Sequence, residues 1–200
     1  MGTVAIVDYG VGNLKSVANA LSYLGCSSCI TADPAELERA DAIILPGVGA
    51  FPDAADRLRS GGLDQHVLAQ GQKKPVLGIC LGMQLLLEQG REVRPCPGLG
   101  GIRGTVDRIP TQSKLPHIGW NSLRFFHHSP LFRGLDEGAY VYFVHSFSAQ
   151  DTDPAQVIAV TDYGPAVTAA VSSGNFYGTQ FHPEKSGDAG LRLLKAFGEL

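Results

Sequence analysis

The chain opens on an apolar run, Thr3-Val4-Ala5-Ile6-Val7-Asp8, of the kind that a strand buried on both faces shows. Gly10-Val11-Gly12 reads as a turn. Leu14, Val17, Ala18, Leu21 and Leu24 then recur at three- and four-residue steps, which predicts a helix after Asn13. Gly25 stands where a helix C-terminal cap belongs. Ser28 to Thr31 reads as a short strand, and Asp33-Pro34 as a helix start with proline at the first helical position. Ala42-Ile43-Ile44-Leu45 is a third strand, stopped by Pro46-Gly47. Helical patterns cover 54–59 and 63–70, a strand covers 75–79, and helix returns at 83–89. This β-α-β-α alternation predicts a parallel, doubly wound α/β sheet with helices on both faces.

The second half has a different rhythm. A Gly/Pro-rich loop at 95–104 is followed by strand candidates near 104–106 and at 122–126, 140–144, 157–161, 167–171 and 176–180, which read as antiparallel or mixed. A helix at 188–197 closes the chain. No repeat, low-complexity tract or linker separates the halves, so residues 1–200 read as one domain, in keeping with a length of 200.

Composition narrows the function classes. Hydrophobic residues make up 44% and charged residues 18%, enough to bury a core. The formal charge is −3 and the charges are scattered, which argues against a nucleic-acid-binding face. No apolar run reaches membrane-spanning length and no secretory leader pattern stands at the start, so a soluble, cytoplasmic protein is expected. Four cysteines are too few for a disulfide scaffold.

The sharpest chemical signal is Gly78-Ile79-Cys80-Leu81-Gly82, after a strand and opening a helix. A sharp strand-to-helix turn lifts a nucleophile out of the sheet, and small neighbours let the backbone crowd there. It is the cysteine counterpart of the Gly-x-Ser-x-Gly elbow. The helix N-terminus would stabilise a thiolate. A nucleophilic thiol needs a base, and the base an orienting group. Phe181-His182-Pro183-Glu184 follows the last strand candidate, so His182 and Glu184 could both face Cys80 from beyond the carboxyl ends of the strands. Pro46-Gly47-Val48-Gly49-Ala50-Phe51 offers backbone N–H groups for an oxyanion hole shared with Leu81. Val48 lies between two glycines, so the Gly47–Val48 peptide is expected to flip at small steric cost and to act as a switch.

These three segments resemble the triad (class I) glutamine amidotransferases. Within that family, Asp8-Tyr9-Gly10-Val11-Gly12-Asn13-Leu14, the Pro-Gly-Val-Gly-Ala-Phe loop, Pro116-His117-Ile118-Gly119-Trp120-Asn121 and Tyr142-Phe143-Val144-His145-Ser146 are similar to the branch that supplies ammonia for imidazole glycerol phosphate synthesis. The resemblance runs from residue 4 to residue 198. It implies a flavodoxin-like, three-layer fold around an open, mixed and mostly parallel sheet. It implies that Cys80 attacks the glutamine side-chain amide, that His182 passes protons and that Glu184 orients His182, with Val48 and Leu81 as oxyanion donors. Gly47, Gly49, Gln84, His145, Ser146 and Phe147 would hold the substrate. The ammonia would pass to the cyclase partner of a heterodimer, a (β/α)8 barrel. There imidazole glycerol phosphate and an aminoimidazole carboxamide ribotide are made in histidine biosynthesis. Asn13, Trp120 and Lys185 match positions that face this partner. No cofactor or metal is implied.

Other readings stand beside this one. A γ-glutamyl or peptide hydrolase could use the same Cys-His-Glu geometry, and a catalytically dead interaction subunit is the rival from another class. Cys26-Ser27-Ser28-Cys29 lacks the second ligand pair that a zinc site needs. His127-His128 reads as a surface pair. Gly10-Val11-Gly12 lacks the third glycine of a nucleotide-binding fingerprint.

Overall fold

The structure, a computed structural model, describes residues 2–200. The opening apolar run forms β1 (Val4–Val7), and its alternating side chains already define two faces. After the turn, α1 (Leu14–Tyr23) ends at Leu24. Gly25 follows in the left-handed region (φ +71°), which lets the Cys26 N–H turn back to the Leu21 carbonyl at 2.9 Å. β2 (Ser28–Thr31) leads to α2 (Pro34–Arg39), whose N-terminus is capped by the Asp33 side chain accepting from the Ala35 N–H. β3 (Ala42–Gly47), α3 (Phe51–Ser60), α4 (Leu63–Gly71), β4 (Val76–Cys80) and α5 (Leu81–Leu85) complete the first half.

The remaining strands are β5 (Gln89–Gly90), β6 (Cys96–Pro97), β7 (Thr105–Arg108), β8 (His117–Ser122), β9 (Arg124–Phe125), β10 (Tyr140–His145), β11 (Phe147–Gln150), β12 (Val157–Asp162), β13 (Ala166–Ser173) and β14 (Phe176–Thr179), before α6 (Gly187–Phe197). The main sheet runs β2-β1-β3-β4-β14-β13-β12-β9. From β2 to β14 the neighbours are parallel, and from β14 to β9 they are antiparallel. The sheet is therefore mixed and mostly parallel, as the element order and the family resemblance predict. On one face Ala5, Val7, Ile43 and Leu45 pack against Leu37, Leu58 and Val67 of α2, α3 and α4. On the other, Val4, Ile6, Ile44 and Leu77 pack against α1 and α6 through Val17, Leu21, Leu193 and Phe197. Among the described residues no helix is long and apolar enough to cross a membrane.

Four local expectations need correction. The helix expected at 83–89 starts earlier and is only five residues long. The carbonyls of Leu85, Leu86 and Leu87 accept from the N–H groups of Leu99, Ile102 and Gly100, so the 96–102 segment takes the acceptors that further turns would have used. It also buries all three leucines, leaving no exposed face for a longer amphipathic helix. The strand expected at 122–126 is only β9 at 124–125, and Ser122 is already the last residue of β8, a strand at 117–122 that the sequence reading did not expect. Buried Leu123 marks the point where the chain leaves the two-stranded β8–β10 sheet and joins the edge of the main sheet as β9. β3 does not stop at Leu45 but continues through Pro46-Gly47, in register with Ile79 and Cys80. The loop at 95–104 contains β6, which pairs with β5. β5 in turn joins β7 and β11 in a small second sheet. β11 went unread because only Ser146 separates it from β10, with no turn residue to mark the break.

Candidate active site

β4 ends at Cys80 and α5 begins at the next residue, so the chain must reverse within one residue. Cys80 takes φ 55° and ψ −109°, a conformation that costs a side-chain-bearing residue about 1–3 kcal/mol. Close packing on both sides enforces it. A Cβ on Gly82 would lie 1.7 Å from the Leu45 carbonyl oxygen, and one on Gly78 would lie 2.6 Å from the Gly82 backbone. The two glycines therefore let β3, β4 and α5 meet, and the strained residue between them presents its thiol beyond the sheet.

β14 lies beside β4 with Gly178 opposite Gly78 and Thr179 opposite Ile79. His182 thus emerges next to Cys80 from the neighbouring strand. The His182 Nδ1 lies 2.8 Å from the Glu184 Oε1, and the ring is near enough to Cys80 for the thiol to bear on its titration. Both the imidazole and the carboxylate are buried, the carboxylate within the short turn Pro183–Lys185. Burial alone would push the His182 pKa down. The Cys80 thiol and the hydrogen bond with Glu184, and the negative charges those groups carry when ionised, outweigh it and hold the imidazole up at about 9. A protonated imidazole beside the thiol is the arrangement that a cysteine nucleophile requires.

These groups open on a cavity of about 390 Å³. Val48, Gly49, Cys80, Leu81, Gln84, His145, Ser146, Phe147 and His182 all line it, so most residues singled out in the sequence converge there. Glu184 stands behind His182. Gly47 lies outside the lining, and its place is set by crowding: a Cβ there would be 2.7 Å from the Tyr9 hydroxyl and 2.9 Å from the Gly82 nitrogen. Gly49, on the other side of Val48, has φ +97°, a conformation that glycine adopts without strain. Trp120 lies on the outer face of the two-stranded β8–β10 sheet, more than half exposed, with Tyr142 edge-on to it. Lys185 sits with its ammonium 6.0 Å from the Tyr142 ring, and the Asn13 side-chain oxygen accepts from the Ser16 hydroxyl at the start of α1. The four cysteines are free thiols, and His127 is tied to the Pro154 carbonyl, away from the cavity.

Three residues at the site were missed by the sequence reading. The buried Gln180 donates from its amide to the Cys80 sulfur at 3.8 Å and accepts from the Gln84 Nε2 at 3.0 Å. Gln84 spends its second N–H on the Phe147 carbonyl, so only its oxygen is left to face a ligand. Tyr9 donates to the Pro46 carbonyl at 2.8 Å and fixes the end of β3. Its own pKa is pushed up by burial and by the nearby charge of Cys80. Glu92 is the one carboxylate among the lining residues, and its Oε2 accepts from the Phe51 N–H at the start of α3. Each owes its place to contacts from distant parts of the chain. Only Gln180, two residues before His182 and on the same segment, carried a local hint.

Residues 5–198 match the family model described as glutamine amidotransferase class-I. An imidazole glycerol phosphate synthase subunit HisH from Oceanobacillus iheyensis is 48% identical over 198 residues, spanning 98% of this chain and 98% of its own. A protein of the same name from Bacillus anthracis is 46% identical over 195 residues, spanning 97% and 93%. Among solved structures, one described as a glutamine amidotransferase superposes with a TM-score of 0.77 at 20% identity, over 98% of this chain and 99% of its own. The structure of PurLQS from Thermotoga maritima gives 0.74 at 20% identity, over 98% of this chain and 98% of its own. At such identities these structures speak for the fold, and the sequence relatives speak for the family. The chain belongs to the class-I glutamine amidotransferases and, within them, to the family of the HisH subunits of imidazole glycerol phosphate synthase.

Proposed function

We propose that Cys80, His182 and Glu184 carry the glutamine hydrolysis by which this family supplies ammonia for histidine biosynthesis. The observation that supports these assignments is the buried line from Glu184 through His182 to the strained Cys80, open to one cavity. With the Cys80 thiol proton passed to His182, the sulfur attacks the side-chain amide carbon of glutamine and forms a C–S bond. The carbonyl oxygen gains negative charge, which the N–H of Leu81, the first residue of a helix and so without a partner inside it, stabilises together with the N–H of Val48. His182 then gives its proton to the amide nitrogen, the C–N bond breaks and ammonia leaves. Water attacks the resulting thioester while the neutral His182 takes its proton. Glutamate leaves, and the thiolate–imidazolium pair is restored. Glu184 keeps the ring oriented and balances its positive charge.

The cavity also suits the other end of the substrate. Glu92 and the oxygen of Gln84 are acceptors for the α-ammonium of glutamine, and the backbone from His145 to Phe147 forms the opposite wall. The partner surface is the outer face of β8 and β10. Ile118, Trp120 and Tyr140 are exposed there, and Val144 on the same face also lines the cavity. A (β/α)8 barrel cyclase docked on this face would receive ammonia without release to water, where most of it would be protonated. The test compares wild type with Cys80→Ala in the presence of that partner. The variant should release no glutamate from glutamine, yet the complex should still turn over with added ammonium salts. Near-normal glutamate release would remove Cys80 from the mechanism.

A further inference from the structure

Behind the wall formed by residues 145–147 lies a chain of hydrogen bonds that the reaction scheme does not use. The His145 Nδ1 lies 2.9 Å from the Phe147 carbonyl oxygen. The His145 Nε2 lies 3.2 Å from the His117 Nδ1, and the His117 Nε2 lies 3.3 Å from the Asn121 side-chain nitrogen. That nitrogen also donates to the Asp162 carbonyl at 2.9 Å, while the Asn121 oxygen accepts from the Ser122 N–H. Both histidines are buried, and His117 is stacked between Phe143 and Tyr163.

Only one proton arrangement satisfies every member. A carbonyl oxygen can only accept, so the His145 Nδ1 carries the hydrogen. In a neutral ring the His145 Nε2 is then an acceptor, so the His117 Nδ1 donates to it. The His117 Nε2 is an acceptor in turn, supplied by the Asn121 amide. Both rings must be neutral for this, and burial lowers the pKa of each, that of His145 to about 4, with the charge of His182 acting in the same direction on His145. The titratable groups facing the pair are His182 and Tyr163.

We infer that His117 is a positioning residue for glutamine: by donating to the His145 Nε2 it holds His145 as the Nδ1–H tautomer, which clamps the Phe147 carbonyl and sets the substrate-facing wall. The Phe147 carbonyl is also the anchor of Gln84, so the clamp fixes which end of the Gln84 amide faces the ligand. This assignment rests on the function proposed above, but its first test does not. Nitrogen-15 NMR of the histidine side chains in wild type should show both His117 and His145 as neutral Nδ1–H tautomers at pH 7, against the Nε2–H form usual in water. An Nε2–H tautomer at either position overturns the proposal, whatever the protein catalyses.

The second test is kinetic, with the barrel partner present. His117→Leu should raise the KM for glutamine about tenfold, the size expected when a buried acceptor loses its donor, and change kcat by less than about threefold. His117→Asn places an amide N–H where the imidazole Nδ1–H was, and should restore most of the KM. An unchanged KM in His117→Leu, or equal impairment in the two variants, overturns the positioning role. Should His117→Leu fail to fold, the wild-type tautomers and the KM of His117→Asn still decide it. A wild type that does not hydrolyse glutamine would sink the proposed function and leave the tautomer test standing.

Discussion

At the scale of single residues, the site is a set of groups that change one another. His182 is buried, and burial by itself would strip its proton. The charges of Cys80 and Glu184 and the hydrogen bond with Glu184 reverse that and keep the imidazolium up to about pH 9. The imidazolium is therefore present below that pH and is lost as pH rises through it, so wild-type glutamine hydrolysis should show an alkaline limb near 9. Glu184→Gln removes one of the two partners that hold the proton. It should move the limb to lower pH and reduce turnover, though less than His182→Ala does. A pH–rate profile of both variants measures this, and an unmoved limb would separate Glu184 from the proton held by His182. Cys80, His182 and Glu184 were legible in the sequence because each stands in a short motif with its own chemical signature. Gln180, Tyr9 and Glu92 were not, because each becomes part of the site only through a contact across tens of residues.

At the scale of elements, the elbow depends on the absence of two side chains. Gly82→Ala would drive a methyl group into the Leu45 carbonyl, which is backbone and has nowhere to go. Overpacking of this kind costs about 1–3 kcal/mol where side chains can yield, so a loss of at least about 3 kcal/mol is expected here. Chemical denaturation reads it directly, and a variant as stable as wild type would mean that α5 can move off β3. Gly47 carries a related constraint. Any side chain at 47 meets Tyr9 and Gly82, so a bulky variant there reports crowding before it reports a peptide flip. The periodic segments of the first half were read within a few residues because each buries a simple stripe or run. The second half was harder. β5, β6 and β9 are two residues each, too short for any periodicity, and β8 turns one face to the core and the other to solvent without a turn residue at its end.

At the scale of the whole molecule, the exposed aromatic face of the β8–β10 pair and the glutamine cavity share strand β10, whose Val144 and His145 line the cavity. Trp120→Ala removes the largest exposed side chain of that face. It should weaken association with the proposed barrel partner about tenfold or more, as truncation of an aromatic anchor at an interface commonly does, while leaving the fold intact. Titration of one partner with the other measures it, and an unchanged Kd would place the interface elsewhere. His117 and Trp120 lie on opposite faces of β8, so a partner that presses on one face bears on the strand that holds the other.

The pairing of β4 with β14 has a consequence for how the molecule comes into being. The two strands are neighbours in the sheet but stand about a hundred positions apart along the chain, and contacts of such separation form slowly because a long loop must close first. The helices and the local β-α-β pairings of the first half can form before that closure, with Cys80 already at the end of its strand. During refolding from denaturant, helical circular dichroism should therefore return ahead of glutaminase activity measured with the partner, and the lag should track the docking of β14. Until then the chain has a thiol without its base. The long loop thus makes hydrolytic competence a late property of the folding molecule, withheld until the last strand of the sheet is in place.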